Sequence, residues 1–101
     1  MRLSPEQIYA IKHLAAECFG DRTVVYLFGS RVDDNKRGGD IDLYVETDEP
    51  DLAVILDAKY DFLAKLKQRI GDQRIDVVVN FPTRRQRPPI IDIAKRTGIR
   101  L

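Results

Sequence analysis

Two apolar runs separated by a glycine-serine break constrain this chain more than any other feature. Thr23-Val24-Val25-Tyr26-Leu27-Phe28 stops at Gly29-Ser30-Arg31. Nine residues separate Ser30 from Asp40, and Asp40-Ile41-Asp42 then leads into a second apolar run, Leu43-Tyr44-Val45. On a strand, carboxylates at i and i+2 share one face. Aspartate is disfavoured inside strands, so two on one face suggest use. Such a pair repels itself unless a cation lies between the groups, and hard oxygen donors suit Mg²⁺. A small turn presenting backbone N–H groups and a hydroxyl is a natural seat for a polyphosphate. The pattern reads as a metal-nucleotide site. The bland alternative is a strand-ending turn beside a polar strand edge.

The rest of the chain is ordinary enough to make that site its distinguishing feature. Its 101 residues suit one domain, spanning 1–101, with a modest core. A net charge of +1 gives no global pull toward nucleic acid or membrane, so any charged partner must meet a local patch. The single cysteine, Cys18, precludes an internal disulfide framework and fits a reducing cytoplasm. No apolar stretch approaches the roughly 20 residues that cross a bilayer.

Ser4-Pro5-Glu6-Gln7 reads as a helix start with a capping box, and Ile8, Ile11, Leu14, Ala15, Cys18 and Phe19 as its buried stripe up to Gly20. Cys18 is expected to be a small core hydrophobe, and His13, off the stripe, a solvated side chain. Thr23–Phe28 and Ile41–Val45 are strands. In the second, Ile41, Leu43 and Val45 are assigned to the core, and Asp40, Asp42 and Tyr44 to a cleft. Val32–Gly39 is a polar loop that turns at Gly38-Gly39. A second helix follows Asp51, with Leu52, Ile55, Leu56, Leu63, Leu66 and Ile70 as its stripe and Gly71 as its stop.

Arg74-Ile75-Asp76-Val77-Val78-Val79 is a third strand, whose valine run suggests a central position. Asp76 interrupts it, either as a third site carboxylate or as a strand-end acid paired with Arg74. The basic, proline-marked connector 81–89 holds Arg84, Arg85 and Arg87. It is a solvated linker by default, with a patch for triphosphate, RNA or an acidic partner as the alternative. Pro89 opens a last helix, and 90–101 is read as helix and tail.

Gly29-Ser30, nine residues, Asp40-x-Asp42 and then Asp76 together resemble the signature of the DNA polymerase beta nucleotidyltransferase superfamily. The short length resembles its minimal nucleotidyltransferase (MNT) branch, many of whose members are antitoxins encoded beside a HEPN-domain toxin. The resemblance runs from the first helix to about Asn80. It implies an α+β fold with a mixed three- to four-stranded sheet and helices mainly on one face. It further implies AMP transfer from ATP to a hydroxyl, a tyrosine of the toxin. Asp40, Asp42 and Asp76 would hold two Mg²⁺ ions, and Gly29, Ser30 and Arg31 would contact the nucleotide's phosphates. The implied partner is a helical HEPN-like toxin in a heteromer, with a homodimer as the other assembly; neither membrane nor nucleic acid is an expected ligand. Two other readings stand beside it: a non-catalytic subunit that neutralises its partner by contact, and transfer to a small molecule or an RNA end.

Overall fold

A computed structural model describes residues 1–33, 35 and 39–101, so Asp34, Lys36, Arg37 and Gly38 of the expected polar loop lie outside the described residues. In chain order the elements are helix α1 (Pro5–Phe19), strand β1 (Val24–Phe28), a 3₁₀ turn (Gly29–Val32), β2 (Ile41–Glu46), α2 (Leu52–Ile70), β3 (Ile75–Asn80), α3 (Pro89–Thr97) and the short β4 (Ile99–Arg100). One sheet holds the strands in the order β3-β2-β1-β4. β2 runs parallel to β3, and β1 runs antiparallel to both β2 and β4. The fold is therefore α+β with a mixed sheet.

The helix starts follow their local chemistry. Ser4 Oγ accepts from the Gln7 amide at 3.1 Å while Gln7 Oε1 accepts from the Ser4 amide at 2.9 Å, and Pro5 occupies the first turn. At α2 the Asp51 carboxylate accepts from the Ala53 amide at 2.9 Å, satisfying an otherwise orphaned donor. α1 and α2 lie antiparallel on one face of the sheet: Glu17 meets Lys65 at 3.9 Å near one end, and Arg69 covers the Tyr9 ring near the other. Between helices and sheet sits the main core, in which Ile11, Leu14, Leu27, Ile41, Leu43, Val45, Phe62 and Leu66 are fully or almost fully buried.

Four differences from the sequence reading have physical causes. First, α3 covers part of the opposite face. Its Ile91 and Ala94 close over Phe28 and Tyr44 in a second cluster, so Tyr44 is buried where an open cleft was expected. Second, β3 is an edge strand of the described sheet, not a central one. Its valines are apolar on both faces because Val77 and Val79 enter the main core while Val78 packs against the second cluster. Third, the residues after α3 return to the sheet as β4, pairing Ile99 with Leu27 and Arg100 with Tyr26. Two residues carry too little periodicity to announce a strand. Fourth, α2 buries Ile55, Ala58, Phe62 and Leu66, while Leu52 and Leu56 face outward. Turning this stripe inward sets the Phe62 ring edge-on against Phe19, 5.6 Å between centroids.

His13 takes the exposed place expected of it, whereas Cys18 packs at the margin of the core and not within it. Cys18 is half-buried, and its thiol donates to Asp61 Oδ2 at 3.6 Å. Burial first, then the Asp61 charge, pushes the thiol up, which disfavours the reactive thiolate. His13 is exposed and stacks on Tyr9.

Candidate active site

Backbone register brings the aspartates together. Asp42 follows Asp40 by two residues, so both lie on the face of β2 opposite the main core. The parallel pairing of β2 and β3 sets Asp76 directly beside Asp42. The antiparallel pairing of β1 and β2 ends at Phe28 opposite Asp42, which delivers Gly29 to the same spot. Three carboxylates from two strands thus share one end of one sheet face with the glycine-serine turn.

The turn is built for close approach. Gly29 has φ +77°, and a Cβ there would collide with Asp42 Oδ2. Gly39 has φ +93°, and a Cβ there would collide with Ser30 Oγ. Both glycines are needed twice over, for a left-handed backbone and for the space. Of the expected Gly38-Gly39 turn only Gly39 is described. Sequence reasoning assigned Gly39 to the turn alone and missed its contact with Ser30, which depends on the loop's return path.

Arg31 serves the scaffold. Its guanidinium donates to the backbone carbonyls of Arg2 at 3.0 Å and Gly39 at 3.2 Å, and to Gln73 Oε1 at 3.2 Å. Arg2 clamps the turn from its other side, donating to Ser30 O at 2.9 Å and Asp33 O at 3.0 Å. Arg2 and Gln73 were missed because nothing in a sequence marks a side chain whose partner, a turn carbonyl for Arg2 and the Arg31 guanidinium for Gln73, lies far along the chain.

Electrostatics distinguishes Asp42 within the group. Partial burial pushes its carboxyl above the usual range, the Asp76 and Asp40 charges push further, and Arg74 offsets part of this. Asp40 pairs with Arg74 at 3.4 Å, so the arginine considered as a partner for Asp76 reaches Asp40. Asp76 itself is exposed. Among the described residues no three acidic, histidine or cysteine side chains are drawn close enough to hold a metal ion. The donor chemistry nevertheless fits a hard divalent cation: oxygen ligands only, with the middle one destabilised as an anion by its neighbours.

Farther along the same face the side chains are engaged with one another. Tyr44 donates to Glu46 Oε1 at 2.7 Å, and Lys95 of α3 pairs with Glu46 at 3.1 Å. Burial and the Glu46 carboxylate push the Tyr44 phenol up to about 12. Arg84 stacks on Phe81 and donates to Val79 O at 2.9 Å, and Arg87 pairs with Asp92 at 3.1 Å. Of the three connector arginines only Arg85 has no such partner among the described residues.

The model of the nucleotidyltransferase domain family matches residues 10–101. The chain belongs to that family, within the polymerase beta-like superfamily. Its enzymes transfer a nucleotidyl group from a nucleoside triphosphate and generally use a divalent metal. Compared with curated proteins, the chain has no match. No helix among the described residues is long and apolar enough to cross a membrane.

Proposed function

We propose that this chain transfers AMP from ATP to a tyrosine hydroxyl of a HEPN-family toxin and so acts as an MNT-type antitoxin in the cytoplasm. The observation that carries the transfer chemistry is the register of Asp42 with Asp76 beside the Gly29-Ser30 turn. In the reaction the acceptor oxygen attacks the α-phosphorus, the bond to the β-phosphate breaks and pyrophosphate leaves. Asp40, Asp42 and Asp76 would hold Mg²⁺, which when bound would supply the positive charge that such a displacement needs. Gly29 and Ser30 bind terminal phosphate oxygens through N–H and hydroxyl donors. Asp76 takes the acceptor's proton; being exposed on an edge strand, it is open to a bulky protein acceptor. Arg31, expected at the phosphates, also positions the turn through its bonds to the Arg2 and Gly39 carbonyls and Gln73.

The polymerase beta-like membership supports nucleotidyl transfer, and the resemblance to HEPN/MNT pairs supports the toxin as acceptor. The test is incubation with α-labelled ATP and Mg²⁺, with and without a HEPN-family partner, beside Asp40→Asn/Asp42→Asn. Label on the partner's tyrosine, lost in the double variant, is the expected result. A partner that binds and is neutralised without acquiring label overturns transfer in favour of neutralisation by contact.

A further inference from the structure

The outer face of α2 is self-complementary. Successive residues turn by about 100° along a helix, which sets positions 57, 60, 64 and 67 opposite the buried Ile55, Ala58, Phe62 and Leu66, with Leu56 on the flank of that outer face. Leu56 is 44% and Tyr60 68% exposed, an unusual placement for two large apolar groups on one stripe. The pattern is symmetric about position 62. Asp57 and Lys67 lie five residues to either side of it, and Tyr60 and Ala64 two residues to either side. A two-fold axis through that point makes residue i of one chain meet residue 124 − i of the other.

We propose that two copies of this chain pair through antiparallel α2 helices. Each Asp57 then faces Lys67 of the second copy, and each Tyr60 ring lies over the small Ala64 of the other. Large meets small and acid meets base, twice, by one symmetry operation. Charge inside the chain agrees. Asp61 and Lys65, one turn away, pair with each other at 3.2 Å, whereas neither Asp57 nor Lys67 has an ion pair among the described residues. Antiparallel helices also bring each positive end near a negative one. An unrelated partner would have no need of symmetry about a single point; a second copy requires it. α2 packs on the sheet face opposite the three aspartates, so the pairing leaves that site open and does not depend on its function.

Sedimentation equilibrium of the full chain, from about 1 µM to about 500 µM, tests this. The expected result is a concentration-dependent dimer that Ala64→Glu abolishes while the melting temperature is kept. Asp57→Lys and Lys67→Asp should each raise the dissociation constant about tenfold, since each turns two attractions into two repulsions. The double variant Asp57→Lys/Lys67→Asp should restore pairing. A monomer throughout the range overturns the proposal. So does a dimer indifferent to the single charge reversals, or one that the double reversal fails to restore.

Discussion

Asp42 and Tyr44 point from the same face of the same strand two residues apart, yet their environments are opposite. Asp42 stands at the open end, between a bare glycine turn and two other carboxylates. Tyr44 is wholly buried beneath Ile91 and Ala94, its hydroxyl taken up by Glu46. What separates them is α3. The last helix turns half of a sheet face into core and leaves the other half wet, and the boundary falls where the carboxylates begin. An acid cluster needs water or a cation, whereas an apolar cluster needs neither. One strand supplies both by alternating what it carries.

The largest effect should come from removing charge at the open end. Asp40→Asn/Asp42→Asn is expected to cut nucleotidyl transfer by about a thousandfold or more. Circular dichroism should be unchanged and the melting temperature equal or higher, because the substitution relieves repulsion. Substantial residual transfer would break the contrast between the two ends. Gly29→Ala should follow, with transfer lowered about a hundredfold through displacement of Asp42. The left-handed backbone at Gly29 adds a stability loss of about 1–3 kcal/mol, measurable by urea unfolding.

At the covered end the order of effects reverses. Ile91→Ala empties space over Tyr44 and should cost about 2–5 kcal/mol of stability. Transfer by the fraction still folded should be close to wild type. A large fall in that fraction's kcat would show that α3 belongs to the catalytic end after all.

The smallest effects are in pH. The folded pKa of Asp42 lies above its unfolded value, so between the two values the folded state holds the extra proton. Without metal, Asp42's own contribution to stability should therefore be fully present below its unfolded pKa and be lost as pH rises through the raised one; Asp42→Asn should remove that part of the pH dependence. Divalent metal competes with the same proton, so its affinity should weaken as pH falls through that window, as calorimetry would show. Tyr44, pushed to about 12, should ionise late in an ultraviolet titration, and its contribution to stability should be lost between about 10 and 12. Ile91→Ala should bring that titration back toward the ordinary range.

The carboxylates, the glycine-serine turn and the elements that carry them were legible in the chain because they depend on local rules. Spacing of two places Asp40 and Asp42 on one face, an apolar run that halts at glycine marks the turn, and capping residues announce α1 and α2. These interactions reach only a few residues along the chain, so the sequence by itself determined them. Register, cover and side-chain reach were decided by the tertiary structure. Asp76 could be singled out as an interruption in a valine run, but only parallel pairing puts it beside Asp42. Tyr44 looked like Asp42's neighbour in the cleft, and a helix about 45 residues farther on buried it. Arg31 could be singled out beside the glycine-serine turn, but only the fold shows the three acceptors within its reach. Such partners meet only when distant segments pack, and a single chain's spacing carries no record of them.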